Sequence, residues 1–418
     1  MQVALVTPIY PPDNGWGGIG TYAFHLAQGL AGLGHRVTVL CGYHREPVAR
    51  EESGVRVVRR IRTEGVTAHE RSTQIATLLE AEIAAQGIEG VEFGEYGGDG
   101  AVFQERHPEF PVVVKLHCPT QLCVAGEAPP WQQWFRRRYL PAVLRPVDRL
   151  ERESVARARV VLSPSRWLLE TLRRLGWSMP AKAAVVRNPF GGWPGAAPVS
   201  PEAEGTPPSV LVLGRLARLK GVELLPDIFE RVWRRRPDAR FELAGQDTWR
   251  TRTETWRQWL LRRTDPARHA QLHFLGGVPY AELPAVLARQ TAALFASRWE
   301  SSSYTAMECM WAGLACVVGS GGGAQELGEH EVSTLNTARE PVAIADAVGR
   351  LLADPALRRR LGDAARLRVR EEFAPPRVAA AMEAHYRAAG VGTSTTSLDA
   401  TGRRHARDVS DLQPELSA

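Results

Sequence analysis

Lysine is nearly missing from this chain. Only three of its 52 basic residues are lysines, at positions 115, 182 and 220. An arginine bias says nothing about function by itself, but it makes each lysine worth locating. The arginines are scattered and form no recognised nucleic-acid-binding module, so no nucleic-acid partner is expected. No apolar run approaches the length needed to span a bilayer. The opening MQVALVTPIYPPD lacks the basic lead and long apolar run of a secretory signal. These two absences point to a cytoplasmic protein. Cysteine is sparse. The five present are an odd number at spacings that match no zinc site, with Cys118 and Cys123 the closest pair, so free buried thiols in a reducing compartment are expected.

What remains is a globular composition, with 44% hydrophobic and 23% charged residues and a net charge of +6. A length of 418 residues exceeds what one core usually organises, so two domains are expected. Apolar runs alternate with amphipathic stretches, the pattern of repeated β-α units. QVALVTP, HRVTVLCG, VRVVRRI, GVEF, PVVVKLH, ARVVLSPS and AAVVRNPF read as strands, with helices after the first of them and at 72–86, 131–157 and 165–174. Residues 188–208 are rich in Pro, Gly and Ala and read as a linker. The alternation then restarts with SVLVLGRL, ARFELAG, QLHFLGG, AALFAS and LACVVGS as strands. Helices are expected over VELLPDIFERVWRRR, 252–263, 280–289, 303–313 and 341–388, the last broken near Pro355 and Pro375. The expected architecture is α/β: two doubly wound Rossmann-like domains, 1–187 and 209–374, facing across a cleft. Residues 391–418 are polar and aperiodic, and are expected to be disordered.

Three constellations fall at carboxyl ends of strands, where such sheets bind ligands. The first is NGWGGIG, residues 14–20. A dinucleotide fingerprint needs a tight turn after the strand and an acid ending the second strand, and both are missing. Gly17, Gly18 and Gly20 instead let backbone N–H groups approach an anion at a helix start, or simply cap a flexible loop. The second is GRLARLKG, which puts Arg215 and the scarce Lys220 in a strand-to-helix loop; it suits phosphate oxygens, or is a solvated basic loop. The third is WESSSYTAMECMWAGLACVVGSGGGAQEL. Ser303 reads as an N-cap, Glu300 lies in the loop before it, and Glu308 lies one and a half turns into the helix among Met307, Met310 and Trp311. Exposed N–H groups near Ser303 and Tyr304 could receive a phosphate. Gly322, Gly323 and Glu326 follow the next strand. Cations and helix starts would hold a diphosphate while carboxylates accept from ribose and sugar hydroxyls. A nucleotide sugar satisfies the whole set.

At these residues the chain resembles the family-four retaining glycosyltransferases of GT-B fold, the glycosyl transferases group 1. The resemblance spans roughly residues 1–388 and rests on the paired glutamates Glu300 and Glu308, the Arg215–Lys220 pair, the Gly17–Gly18 loop, His117 in VVVKLHCP and Asn188 in VVRNPF. It implies that Arg215 and Lys220 neutralise the donor diphosphate, that Glu308 binds the ribose, and that Glu300 and the stretch from Gly322 to Glu326 approach the donor sugar. It implies that His117 sits near the reacting centre, that Gly17 and Gly18 contact the distal phosphate, and that a final helix, 375–390, crosses back to the first domain. Many relatives carry Phe-Gly where this chain has Ser302–Ser303, which bears on the fit of the donor sugar.

The expected activity is transfer of a sugar from a nucleoside-diphosphate donor, UDP-linked by analogy, to an acceptor hydroxyl. The sequence has no D-x-D, so no metal clamp of that kind is indicated and no cofactor is expected. A nucleotide-sugar epimerase, a sugar phosphorylase or a non-catalytic scaffold on the same fold are the alternatives. The acceptor could be a small molecule, a glycolipid or a glycan. The segment WQQWFRRRYLPAVLRPVDRLERE, with Trp131, Trp134 and Phe135, reads as an amphipathic core helix, as a surface for peripheral membrane contact, or as part of an acceptor pocket.

Overall fold

The computed structural model describes the chain apart from residues 13–14, 44–45, 130, 133–134, 136–139, 194–206, 320, 393–395, 399–403 and 407–418. In the first half, strands β1 (Gln2–Thr7), β2 (Arg36–Gly42), β3 (Val48–Glu52), β4 (Val55–Ile61), β5 (Gly90–Gly94), β6 (Val112–Lys115), β7 (Val160–Ser163) and β8 (Ala183–Val185) form one sheet ordered β3-β4-β2-β1-β5-β6-β7-β8. Only β3 runs antiparallel to its neighbour β4. In the second half, β9 (Ser209–Leu213), β10 (Arg240–Ala244), β11 (Leu272–Gly276), β12 (Ala292–Phe295), β13 (Cys316–Gly319) and β14 (Leu335–Thr337) form a parallel sheet ordered β11-β10-β9-β12-β13-β14. The central strands are apolar throughout rather than alternating, because helices cover both faces. Val112–Lys115, for instance, is buried at every position.

The strand order reverses between β1 and β5 in the first sheet and between β9 and β12 in the second. Such switch points open a crevice at the carboxyl ends of the strands. The first three motifs lie there because the loops that follow β1, β6, β9 and β12 lead into those crevices.

Proline sets the helix breaks near the carboxyl end of the chain. Pro341, Pro355 and Pro375 each start a helix, over Pro341–Ala353, Pro355–Glu372 and Pro375–Ala389; a ring that cannot donate is tolerated in a first turn and not inside a helix. The last of these packs on the first domain, as expected of a helix that crosses back. Gly29 of the helix Gly18–Gly32 makes that approach possible: a Cβ there would lie 2.5 Å from the Pro375 carbonyl oxygen. Tyr386 then donates its hydroxyl to buried Glu92 of β5 over 2.7 Å, and Tyr22 donates to the other oxygen over 2.8 Å.

Four readings need correction or completion. The helix expected over 131–157 is interrupted: Leu140 and Pro141 are not helical, a 3-10 turn covers Ala142–Leu144, and the α-helix is Arg145–Arg157. Trp131 and Phe135 are 79% and 50% exposed, so they are not core aromatics, and Trp134 lies outside the described residues. Most of the linker also lies outside them, although Asn188 to Trp193 are described and largely buried. The tail is not wholly structureless, because Thr396–Leu398 pairs antiparallel with Arg404–Ala406. Strands β3 and β14 escaped sequence reading, being respectively polar and only three residues long.

Candidate active site

A cavity of about 1010 Å³ lies between the two sheets. His117, Gly18 and Asn188 reach it from the first domain, and Arg215, Lys220, Glu300 and Tyr304 from the second.

Lys220 ends a 3-10 turn, Arg218–Lys220, after β9. Gly221 follows with φ +79° and packs so closely on β12 that a Cβ would lie 1.9 Å from the Ala296 carbonyl oxygen. This glycine is what seats the GRLARLKG loop against the strand that leads to Glu300. Lys220 donates to Glu300 Oε1 over 2.6 Å, and Ser297 donates to the same oxygen over 2.8 Å. Glu300 itself is pinned by its backbone, which donates to Gly321 and accepts from Gly323. Arg215 is exposed at the cavity edge and has no ion-pair partner among the described residues.

Ser303 caps the helix Tyr304–Ala312 as expected, its hydroxyl accepting from the Ala306 N–H. Tyr304 lines the cavity with its ring and donates its hydroxyl to the Pro189 carbonyl over 3.0 Å. Gly17 is the N-cap of the helix Gly18–Gly32, and a Cβ on Gly18 would lie 3.7 Å from the Tyr304 ring. The glycine loop therefore meets the second domain directly.

Glu308 is not part of the cavity lining. It is 5% exposed, close to Tyr280 and Tyr304, and its carboxylate has no hydrogen-bond partner among the described residues. Burial raises its pKa to about 8. The Tyr280 hydroxyl is likewise buried without a partner, and the Tyr280 ring stacks on Trp16 at 4.0 Å. Trp16 and Tyr280, neither of which the motifs singled out, thus form an aromatic closure from both domains beside an unpartnered acid. Two more unpartnered buried atoms, Asn188 Oδ1 and Ser302 Oγ, belong to cavity residues. Buried polar atoms are seldom left unpaired, and a functional role is one explanation where they border a cavity.

His117 follows β6 with its ring edge against Tyr22, at 4.8 Å. Burial, aided by the nearby Lys115, lowers its pKa to about 3. The imidazole is neutral at pH 7 and is a weak proton acceptor there, so it suits hydrogen bonding better than general-base work. Its position is set by Glu95, a fully buried acid that accepts the backbone N–H groups of His117 and Cys118 over 2.6 and 2.5 Å. Nothing local in the sequence marks Glu95 for this role, since the contact spans 22 residues.

Gly322, Gly323 and Glu326 are held elsewhere. They meet the first domain instead of lining that cavity: a Cβ on Gly322 would touch Trp167, and one on Gly323 would touch Ser165. Glu326 accepts from the backbone N–H groups of Arg166 and Trp167, at 3.0 and 2.8 Å, and from Arg187 at 3.0 Å. The first two free N–H groups of the helix Arg166–Arg174 are therefore capped by an acid from the other domain, while Ser165 caps the third. Of the cysteines, three are buried, but Cys118 and Cys123 line the cavity, so the expectation of uniformly buried thiols fails for that pair.

Comparison with known proteins covers nearly the whole chain. Residues 17–189 match the glycosyl transferase 4-like domain, and residues 197–368 match the glycosyl transferases group 1. A glycogen synthase of Mycobacterium tuberculosis is 27% identical over 425 residues, which cover 94% of this chain and 96% of the relative. Sucrose-phosphate synthase from Thermosynechococcus elongatus superposes with a TM-score of 0.73 at 20% identity, over 92% of this chain and 98% of that one. Anabaena Alr3699/HepE, solved in complex with UDP, gives a TM-score of 0.64 at 16% identity, over 93% and 100%. The shared architecture is GT-B. No described helix is long and apolar enough to cross a membrane.

Proposed function

The chain belongs to the glycosyl transferases group 1 and is a glycosyltransferase that uses a nucleotide-sugar donor; from that premise we propose that it transfers a hexosyl group with retention of anomeric configuration and without a metal ion. The observation that carries this reading is the Lys220–Glu300 pair at the strand switch point, facing His117 across the cavity. Arg215 and the remaining donors of Lys220 bind the diphosphate. The ribose lies towards Glu308, which is buried beyond the cavity lining beside Tyr280, with Tyr280 and Trp16 beside the base. The sugar lies between Glu300 and neutral His117, and Gly17 and Gly18 close over the distal phosphate.

In the transfer step the acceptor oxygen forms a bond to the anomeric carbon. The bond from that carbon to the diphosphate oxygen breaks and its electron pair leaves with the phosphate, which takes the acceptor proton. Charge grows on the leaving oxygen, where Arg215 and Lys220 stabilise it. Fixed cations do there what a divalent ion does in enzymes with a D-x-D clamp, which supports the metal-free reading. The UDP seen in the Anabaena structure supports a uridine donor.

Melting temperatures with UDP, GDP, ADP and NAD, each with and without magnesium, test this. A ligand that binds only the native state raises the melting temperature by mass action. The expected result is a rise with one nucleoside diphosphate that magnesium does not change, and a product whose anomeric proton coupling matches the donor. A rise with NAD alone, or an inverted product, contradicts it.

Trp131, Phe135 and Val143, the last 78% exposed, favour one addition: peripheral contact with a membrane beside the cavity, which Gln132 and Pro141 help to line. Sedimentation with anionic vesicles tests it.

A further inference from the structure

The two walls of the cavity differ in chemistry. The second domain presents Arg215, Lys220, Glu300 and the Ser301–Ser302 segment, as a donor demands. The first-domain wall carries an aliphatic and sulfur-bearing patch, made of Ile9 beyond β1, Ile19 on the first helix, Cys118 beyond β6, Cys123 and Val124 on the helix Thr120–Glu127, and Pro141 after it, beside the polar Tyr96, His117, Glu127, Gln132 and Asn188. Ile19, Cys123 and Val124 remain partly exposed, so they present apolar surface to the cavity rather than disappearing into the core.

Resting on the transferase reading, we propose that the acceptor alcohol carries an apolar body, an alkyl or aromatic aglycone, which this wall receives, and that a growing glucan is not the acceptor. The donor is committed to the cationic wall, and the acceptor hydroxyl meets the anomeric carbon on the face of the leaving diphosphate, which takes its proton; the body of the acceptor then extends into the part of the cavity that the first domain bounds. A glucan laid across the apolar patch would bring several hydroxyls per sugar against isoleucine, valine, proline and thiol surface. Each hydroxyl stripped of water without a new partner costs roughly 1–3 kcal/mol. An alkyl or aryl group against the same wall gains about 25 cal/mol for each Å² of apolar surface removed from water. The wall is firmly built: buried Glu95 holds the His117–Cys118 turn, and the Trp299 indole donates to the Leu122 carbonyl from the other domain over 3.2 Å.

The test measures binding of ethyl, butyl and hexyl β-glucosides and of maltotetraose by calorimetry, with the nucleoside diphosphate that the thermal panel selects. The protein and its Val124→Asp variant are compared. Support is an affinity that rises about three- to fourfold for each methylene added, maltotetraose at least tenfold weaker than the hexyl glucoside, and loss of the chain-length dependence in the variant. The supporting result takes one of two forms, with or without flotation on phosphatidylglycerol vesicles, which separates a lipid source of the apolar group from a soluble one. Maltotetraose binding as tightly as the hexyl glucoside, or a variant that keeps the chain-length dependence, overturns the proposal. Nucleoside diphosphate affinity is read in the same experiment. If it is intact in both proteins while the glucosides show no trend, only the acceptor inference falls; if no nucleoside diphosphate binds, the transferase reading falls and takes the inference with it.

Discussion

The Lys220 ammonium and the Glu300 carboxylate form an ion pair of 2.6 Å, although 80 residues separate them in the chain. The pair places a cation and an acid side by side at the switch point of the second sheet. A diphosphate approaching Lys220 meets Glu300 as well, so the two side chains affect donor binding in opposite directions. Lys220→Ala is expected to weaken nucleoside diphosphate binding ten- to a hundredfold, as loss of a charged hydrogen bond does. Glu300→Gln is expected to leave that affinity unchanged or tighter while abolishing sugar transfer. Calorimetry with the diphosphate and a transfer assay check both; equal losses of diphosphate binding in the two variants would count against separate roles.

Glu308 makes stability depend on pH. Its folded pKa is about 8, against 4.5 for an unperturbed glutamate, because it is buried without a partner. Below pH 4.5 the group is protonated in both states and carries no penalty. As pH rises towards 8 the unfolded chain ionises first, so the stabilising difference is progressively lost, and above 8 the penalty is constant. The full effect is on the order of 3–6 kcal/mol at about 1.4 kcal/mol per pKa unit. Glu308→Gln is expected to remove it, so denaturant midpoints of the two proteins should converge near pH 4.5 and diverge up to pH 8. Parallel curves would show that Glu308 is solvated.

Glu326 ties the domains together by capping the helix Arg166–Arg174. Glu326→Ala is expected to destabilise the protein by roughly 1–2 kcal/mol, the usual cost of losing a helix cap. Diphosphate affinity should change less than threefold, because the contacts of Glu326 are made with the first domain. Urea midpoints and calorimetry separate this from the direct sugar contact that the family resemblance implies, which predicts the reverse: unchanged stability and lost transfer.

Glu95 positions the turn that carries His117. Glu95→Ala orphans the buried N–H of His117 and the part-buried N–H of Cys118, and is expected to cost roughly 2–4 kcal/mol. Glu95→Gln keeps one acceptor oxygen and is expected to fold, with kcat reduced at least tenfold and the donor KM within threefold of its original value. A purely structural role would leave kcat intact in the folded Gln variant.

Much of this protein follows from local sequence. Strands as apolar as VVVK and CVVG declare a sheet buried on both faces, and Pro355 and Pro375 can only begin helices, so element order and the two-domain plan are legible without coordinates. The motifs are legible too, because Arg215, Lys220, Glu300 and His117 each follow a strand, and chain order then sends them to the carboxyl edge. Pairings across the cleft are not legible. The Lys220–Glu300 bridge, the cap that Glu326 places on a helix 160 residues earlier and the stack of Trp16 on Tyr280 depend on how two sheets face each other, which no periodicity records. The choice between a core and an exposed Trp131 stayed open in the sequence for the same reason. Its helical spacing says which residues share a face, but only the packing of neighbouring elements decides whether that face meets protein or water.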